Sequence, residues 1–464
     1  MANPGLELTA QQAQDLAAAL RLWLPEQRWF AGKGHALTAV LLNQVTTLPS
    51  DVAVAHLVVA VQLDGDHWQT YQVPVSVYAD PHPGRNAIGQ LSGGDWAYDA
   101  LTDPQAIPAL LADAASTPEV DPAATHGIEP DHGALPRPQL QSVADPDSYR
   151  HLPARPMSVE QSNSSVILGT VALVKVFRQL TPGINPDVEV HAALGSVGCR
   201  HVGRGLGWIN GGWRDPVHGR WVTGHLAMVQ QLLSPAVDGW DLARQRVAAG
   251  QDFAEDSRAL GLATGEVHRD LRRALPTRVL DGSEVGDLVD RLAWRLDQAV
   301  AVVPELATLA PALHARLRAV ADLGHPIEVQ RVHGDYHLGQ VLLAPDGWKL
   351  LDFEGEPGGD IAGRIVPDHA LRDVAGMLRS FAYAAAQGGA RQDPAVVAAW
   401  QAACEQAFLE GYARSGAADP DADRALLVAY TVDKAAYEAV YEKRNRPDWL
   451  AIPMTALTAL AQQA

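Results

Sequence analysis

Apolar and polar residues alternate in the first half of the chain. Apolar positions recur at helical spacing over residues 8–24, which predicts an amphipathic helix that Pro25 ends. The valine-rich segments 52–63 and 68–79 alternate as strands do, and residues 80–95 resemble a loop. A helical patch covers 104–114, and the Pro-, Asp- and Gly-rich residues 115–150 predict a connecting loop.

The pattern changes at residue 157. Segments 157–168 and 171–178 predict two strands, and a helix follows over 186–194. Residues 203–224 indicate a hairpin, and 226–233 a buried strand. Helices then dominate, with a strand–loop–strand insertion at 330–352; they are predicted over 238–262, 284–303, 305–322, 370–387, 394–414, 422–444 and 453–463. Strands followed by helices predict an α+β fold of segregated layers.

Composition narrows the class of protein. The 464 residues are 47% hydrophobic and 19% charged, which predicts a sizeable core. The formal net charge of −18 disfavours a general partner with a phosphate backbone or an anionic membrane. Cys199 and Cys404 show no pairing or metal-like spacing, as is typical of a reducing cytoplasm. We therefore expect a cytoplasmic protein that binds neither nucleic acid nor membrane.

The densest polar cluster lies between residues 332 and 356. Asp335 stands in a loop, Gln340 follows five positions later, and Asp352 ends the second strand of a short hairpin. Such a hairpin brings these three residues to one end of a small sheet. Phosphoryl transfer requires a carboxylate that orients the attacking hydroxyl and oxygen ligands that hold a metal ion. An ordinary polar hairpin is the alternative interpretation.

The spacing of this cluster resembles the catalytic and metal loops of protein kinases. By that resemblance Asp335 is the catalytic base, and Gln340 and Asp352 bind magnesium. Gln340 stands where those kinases have asparagine. Glu354 stands where they have glycine, so it could add a metal ligand, and its role stays open.

A kinase also needs a lysine for the nucleotide phosphates and a glutamate to pair with it. Lys175 lies within an apolar strand, where a charge is costly unless it is used. Glu189 in the following helix is the preferred partner, and Asp187 is a close competitor. An edge-strand lysine facing water is the alternative interpretation.

The glycine-rich loop that covers phosphates in kinases is absent. Between two strands stands instead a polar turn whose hydroxyls and amides could cradle phosphate oxygens, with a plain hairpin turn as the rival. A hinge for adenine is predicted at the end of a later buried strand. The nucleotide-binding residues predicted in these two segments are Gln161, Ser162, Asn163 and Ser164 in the turn, and Gln230 and Leu232 at the hinge.

Several long motifs resemble the actinobacterial maltokinases, which are relatives of aminoglycoside phosphotransferases. The motifs occupy residues 26–33, 161–165, 333–340, 352–357, 371–380, 433–438 and 441–447. The resemblance implies a bilobal protein-kinase-like fold with an N-terminal cap domain. We expect the cap at 1–90, the β-rich N-lobe at 91–232, and the helical C-lobe at 233–464.

The same resemblance implies a reaction. The γ-phosphate of ATP, with Mg2+, is transferred to the anomeric hydroxyl of maltose, and the maltose 1-phosphate feeds α-glucan synthesis. It also implies a complex with trehalose synthase. Another sugar such as glucosamine, or an aminoglycoside, stays open as the acceptor. A non-catalytic pseudokinase is the alternative of another class, and the presence of Lys175, Asp335 and Asp352 argues against it.

The C-terminal half also contains candidates for the acceptor site. Lys434, Tyr437, Glu438 and Tyr441 recur at three- and four-residue spacing and so share a helix face. Aromatic rings pack on sugar faces, and charged groups bond hydroxyls. His337, Arg379 and Trp449 are further candidates. Helix packing with solvated charges is the alternative interpretation.

Overall fold

The computed structural model describes residues 8–48, 52–83, 85–116, 139–142, 144–157, 162–355 and 366–462. The chain divides into two compact units, one of Met1–Glu189 with Arg204–Leu232 and one of Val190–Gly203 with Leu233–Ala464. The structure is 46% helix and 24% strand, so the predicted α+β class is confirmed. The predicted boundary at residue 90 stays a prediction.

The first unit begins with a helix and a seven-stranded antiparallel sheet, called here the cap sheet. Helix α1 (Ala10–Trp23) precedes strands β1 (Leu37–Leu48), β2 (Ala53–Leu63), β3 (His67–Gln72), β4 (Val75–Tyr78), β5 (Ala87–Gln90) and β6 (Trp96–Asp99). The strand order is β11-β3-β2-β4-β6-β5, β1 pairs with β2, and β11 is Gln179–Leu180. The cap sheet differs from the sequence prediction in four respects: β1 and β6 were not predicted, β5 lies in a predicted loop, and Pro74 divides the predicted strand 68–79. Proline divides that strand because it lacks the N–H that a ladder needs.

The second sheet of the first unit contains the strands near Lys175. Its order is β7-β12-β13-β10-β9-β8, and its strands are β7 (Gln139–Ser142), β8 (Ala154–Pro156), β9 (Ser164–Leu168), β10 (Ala172–Val176), β12 (Gly205–Arg214) and β13 (Trp221–Gln231). Helices α2 (Ile107–Ser116) and α3 (Pro186–Ser196) complete the regular elements before β12. The pairing of β9 with β10 sets Ser165 opposite Lys175.

The second unit is mostly helical. Its helices after α3 are α4 (Gly239–Ala248), α5 (Ala254–Ala274), α6 (Gly282–Val302), α7 (Ala310–Arg318), α8 (Leu371–Gly388), α9 (Pro394–Arg414), α10 (Arg424–Asn445) and α11 (Ala451–Gln462). A left-handed Gly250 (φ 64°) separates α4 from α5, which the sequence pattern had joined in one helix. Within the described parts of the chain, no helix is long and apolar enough to cross a lipid bilayer.

Short strands interrupt these helices where the polar cluster lies. Strands β14 (Val237–Asp238), β17 (Val341–Ala344) and β18 (Gly347–Leu350) form one sheet, and β15 (Arg278–Val279) pairs with β16 (Glu328–Val329). The β17–β18 hairpin has a tight turn at Gly347 (φ 112°).

Helices α5 and α9 approach each other backbone to backbone. A Cβ on Gly261 would lie 2.0 Å from the carbonyl oxygen of Phe408, and one on Gly411 would lie 1.9 Å from that of Arg258. Neither distance is compatible with a side chain, so only glycine fits at these two positions. This seam lies in the main core of the second unit, which includes Phe408 and Tyr412.

Candidate functional site

The loop that contains Asp335 is fixed by a buried carboxylate of α8. Asp373 accepts hydrogen bonds from the backbone N–H groups of His333 (2.7 Å) and Gly334 (2.9 Å), and His268 Nε2 lies 2.9 Å from the same carboxylate. Burial raises the pKa of Asp373, but the hydrogen bond and charge of His268, together with His333 and Gly334, outweigh that effect and lower the pKa overall. An ionised carboxylate therefore holds the backbone of the loop.

Asp335 itself is accessible at one edge of this loop. Its side chain is 21% exposed, and Oδ1 lies 3.4 Å from Lys434 Nζ on α10. His337 Nε2 is 3.9 Å from Oδ2, which is too long for a hydrogen bond. His333 is buried and donates from Nε2 to the carbonyl oxygen of Leu351 at 2.7 Å, so it supports the loop.

The three predicted metal ligands belong to one hairpin. The N–H of Leu351 donates to the carbonyl oxygen of Gln340 at 2.9 Å, which sets Gln340 beside Asp352. Asp352 has a left-handed backbone (φ 61°), a conformation that L-residues other than glycine rarely adopt and that often marks a functional site. A carboxylate oxygen of Glu354 lies within 4.8 Å of one of Asp352. Two hard oxygen donors at this separation suit Mg2+.

In the first unit, Lys175 forms a buried ion pair. Its Nζ lies 2.8 Å from Asp187 Oδ2, and the aspartate side chain is 1% exposed. The structure thus pairs the lysine with the residue that the sequence analysis ranked second to Glu189. Because α3 begins at Pro186, Asp187 lies in its first turn, where the helix dipole favours a carboxylate. The role of Glu189, in the same turn, stays a prediction.

A buried hydroxyl without a hydrogen-bond partner lies opposite this lysine. Ser165 Oγ is buried and bonds to no group among the described residues. In an antiparallel pair, directly opposite residues point to the same side, so Ser165 and Lys175 share a face of the second sheet. An unsatisfied buried hydroxyl beside a lysine fits the binding of a phosphate oxygen.

The remaining residues predicted to bind nucleotide have mixed surroundings. Gln161 lies outside the described residues; Ser162 is exposed, and its Oγ accepts from Asn163 Nδ2 at 3.2 Å. Ser164 Oγ accepts a hydrogen bond from Arg178 Nε at 2.7 Å. Gln230 lies at the end of β13, and the N–H of Leu232 donates to Val171 at 2.9 Å, so the amide of this predicted hinge residue is already bonded.

A pocket of about 470 Å3 opens beside the catalytic loop, within the second unit. Its floor includes Gly334 and Tyr336, and Lys434 and Tyr437 of α10 form one wall. This volume falls in the range of small-molecule sites. The full lining is Trp294, Arg295, Gln298, Ala299, Val302, Gly334, Tyr336, Arg372, Asp373, Gly376, Tyr430, Asp433, Lys434, Tyr437, Val440 and Arg444.

Two aromatic rings at this pocket are exposed. Trp294 is 62% exposed and Tyr437 is 49% exposed, and Lys434 Nζ lies 5.4 Å from the centroid of the Tyr437 ring. Tyr437 was predicted, whereas Trp294, Arg295 and Arg444 were missed. One signal for Trp294 was present in the sequence, since this large apolar residue lies off the apolar stripe of α6. No local pattern, however, links α6 with the catalytic loop.

The other residues predicted to bind the acceptor do not line this pocket. Arg379 and Glu438 form a buried ion pair of 2.9 Å between α8 and α10. Tyr441 and Trp449 pack on Arg446, whose guanidinium carbon lies 5.1 Å and 4.2 Å from their ring centroids. His337 accepts a hydrogen bond from the N–H of Gly339 and caps a short 3-10 helix.

Comparison with known proteins places this site in a family. The model of the maltokinase N-terminal cap domain matches residues 23–103. A glucosamine kinase from Streptacidiphilus jiangxiensis is 32% identical over 335 residues, which cover 66% of this chain and 73% of that protein. A glucosamine kinase from Mycolicibacterium smegmatis is 30% identical over an alignment that covers 67% of this chain and 80% of that protein.

Solved structures agree. A glucosamine kinase in complex with glucosamine, ADP and inorganic phosphate is similar with a TM-score of 0.66 and 25% identity, over 98% of this chain and 100% of the other. A second crystal form of a glucosamine kinase gives a TM-score of 0.69 over 97% of this chain. The predicted resemblance is therefore confirmed, and the chain belongs to the family of maltokinase-like sugar kinases that includes these glucosamine kinases.

Proposed function

We propose that this chain transfers the γ-phosphate of ATP to the anomeric hydroxyl of maltose and releases ADP and maltose 1-phosphate. The observation that carries the proposal is the pocket that contains Lys434, whose ammonium lies 3.4 Å from Asp335. A sugar hydroxyl in that pocket reaches the carboxylate that must orient it and accept its proton.

Both the proposed metal site and the proposed phosphate site have residues suited to their ligands. Asp352 and Glu354, with Gln340 beside them, would hold Mg2+, which neutralises charge on the phosphates when it is bound. Lys175 and the unpartnered hydroxyl of Ser165 would bind phosphate oxygens.

The charges of the pocket favour a neutral sugar. Four cationic side chains line it, those of Arg295, Arg372, Lys434 and Arg444, against the two carboxylates Asp373 and Asp433. Both carboxylates are engaged, because Asp373 holds the catalytic loop and Asp433 Oδ2 lies 3.0 Å from Arg295. Three of the cations are paired as well, Arg295 with Asp433, Arg372 with Asp368 (3.1 Å) and Lys434 with Asp335 (3.4 Å). An ammonium group on the acceptor would therefore meet paired charges of both signs and no carboxylate without a partner.

The lining of the pocket suits a disaccharide. It includes Gly334 of the catalytic loop, the exposed ring of Trp294 on α6, and Arg444 near the end of α10. One sugar ring beside Asp335 would leave Trp294 and Tyr437 for a second ring, and aromatic faces with a polar edge suit that task. The link to α-glucan synthesis and the complex with trehalose synthase stay predictions.

Glucosamine is the second candidate acceptor. Two relatives at 32% and 30% identity are glucosamine kinases, and one similar solved structure contains glucosamine. The two acceptors differ in charge, since maltose is neutral and glucosamine carries an ammonium group.

An acceptor panel tests the proposal. Purified protein is incubated with Mg-ATP and maltose, glucose, glucosamine, trehalose or kanamycin, and products are identified by phosphorus NMR. We expect a maltose-dependent anomeric phosphate with the highest kcat/KM. Phosphate on glucosamine alone would replace maltose by the second candidate, and ATP turnover without any phosphorylated sugar would contradict both.

A further inference from the structure

Arg178 lies in the short link between the two sheets of the first unit. Only Phe177 and Arg178 separate β10 of the second sheet from β11 of the cap sheet. The Arg178 side chain is 1% exposed, although an arginine is almost never fully buried unless its charge is paired. A buried guanidinium at this junction requires an explanation.

Its partners come from both sides of the link. On the cap side, Nη2 donates to Asp99 Oδ2 at 2.5 Å, and the guanidinium carbon lies 4.6 Å from the ring centroid of Trp29. On the other side, Nε donates to Ser164 Oγ at 2.7 Å. Among the described residues, Nη1 has no hydrogen-bond acceptor. One planar side chain thus joins the cap to the first residue of β9.

That first residue adjoins the groups assigned to the nucleotide phosphates. Ser164 precedes Ser165, the buried hydroxyl on the same face as Lys175, and follows the turn residues Ser162 and Asn163. Because side chains alternate along a strand, the bond that holds Ser164 toward Arg178 directs Ser165 to the opposite face. Together with the β9–β10 pairing, the arginine fork fixed by Asp99 and Trp29 thus supports the orientation in which Ser165 shares a face with Lys175.

We propose that Arg178 is a positioning residue through which the cap holds the turn at 162–165 in the geometry that binds nucleotide phosphates. This rests on the proposed function in one respect, the assignment of that turn to the nucleotide. It gives the cap a task in the reaction: it sets nucleotide affinity and leaves the acceptor pocket of the second unit untouched. A purely structural role would instead lower the stability of the unit without a selective effect on nucleotide.

The test is a double-mutant cycle between the two sides of the link. Asp99→Asn keeps the shape of the cap partner but removes its charge, and Ser164→Ala removes the acceptor on β9 while the Arg178–Asp99 pair remains. Mg-ADP binding to the full chain is measured by calorimetry, together with KM for ATP and for the sugar. We expect each single change to raise the Kd for Mg-ADP about tenfold and the double change to add little more, because both break one connection. KM for the sugar should stay within about twofold.

The cap offers a matched control in a second arginine–aspartate pair. Arg85 Nη1 lies 2.7 Å from Asp103, and its guanidinium carbon lies 4.5 Å from the Tyr78 ring centroid, without a bond to the turn at 162–165. Arg85→Gln should lower the melting temperature but leave the Kd for Mg-ADP unchanged.

The outcomes separate this inference from the proposed function. If the unaltered chain binds no nucleotide, both fail. If it binds Mg-ADP and the Asp99 and Ser164 effects are fully additive, or if Arg85→Gln weakens nucleotide as much as Asp99→Asn does, the positioning role is wrong while the kinase assignment stands. Arg178→Lys provides a last check, since it keeps the charge and should still weaken nucleotide binding.

Discussion

Helix α10 presents two aromatic residues of nearly equal exposure and very different surroundings. Tyr437 is 49% exposed and Tyr441 is 45% exposed, and the sequence pattern sets them on one face. Tyr437 lines the pocket beside Lys434, whereas Tyr441 packs on Arg446 and Glu438 pairs with Arg379. Each ring has a cationic side chain near it, Lys434 at 5.4 Å from the Tyr437 centroid and Arg446 at 5.1 Å from that of Tyr441, so what distinguishes the two is the pocket that Tyr437 lines together with residues of α6. Exposure and spacing alone therefore do not identify a binding face.

The largest effect should be a loss of turnover on substitution of Asp335, beside the pocket. Asp335→Asn removes the group that orients and deprotonates the acceptor, so kcat should fall by about 10²–10⁴-fold while Mg-ADP binding is retained. Steady-state kinetics and calorimetry measure the two quantities. Asp346→Asn is the control. Asp346 is an exposed aspartate in the turn between β17 and β18, and its carboxylate lies 2.7 Å from Lys349 Nζ. Normal turnover by Asp335→Asn would remove Asp335 from its assigned role.

The second-largest effect should be a loss of stability at the Arg379–Glu438 pair. Arg379→Met leaves Glu438 buried without its partner, and loss of one member of a buried pair costs about 3 kcal/mol or more of unfolding free energy. Urea unfolding checks this value. Arg446→Met, which removes a partly exposed arginine from the Tyr441 stack, should cost less than half as much. Equal losses from the two changes would show that the Arg379 pair is no more than a surface contact.

A third prediction separates the two tyrosines directly. Tyr437→Ala should raise the KM of the sugar about tenfold with little change for ATP, because a stacking ring is lost from the pocket wall. Tyr441→Ala should leave both constants within about twofold. Initial-rate kinetics with each substrate varied in turn decide the matter. A larger effect at Tyr441 would restore the original sequence interpretation of this face.

The smallest effect concerns pH. Burial raises the pKa of Glu438 above its usual 4.5, although Arg379 and Lys434 oppose that shift. A carboxyl with a raised folded-state pKa binds its proton more tightly in the folded protein. Its contribution to stability is therefore lost as pH rises from 4.5 through the folded-state value. Relative to Glu438→Gln, the unaltered protein should lose melting temperature over that interval. A constant difference at all pH values would contradict the raised pKa.

Local patterns predicted much of the fold. Helices such as α8 and α10 follow from strong periodicity, and the catalytic hairpin follows from its turn and flanking apolar residues. Strand β1 was missed because its burial does not alternate regularly, and the break between α4 and α5 depends on a left-handed Gly250.

The site shows the same limit. Asp335, Gln340 and Asp352 were predicted because they are close in sequence, and Lys434 because it shares a helix face with Tyr437; their roles stay predictions. The contribution of α6 to the pocket was not predictable, since Asp433 is 138 residues from its partner Arg295. The pairing of Lys175 with Asp187 depends on the residue at which α3 begins, which a sequence pattern fixes only within a few positions, and the role of Glu189 stays a prediction.

The backbone contact between α5 and α9 has a consequence for how this sequence can diverge. At Gly261 and Gly411, a carbonyl oxygen of the facing helix occupies the space that a side chain would need. A change at either position cannot be rescued by a second change at its neighbour, because the obstacle is main chain that every residue shares. Substitution of either glycine is therefore unfavourable whichever sugar the enzyme uses. Descendants with new acceptors should keep both glycines.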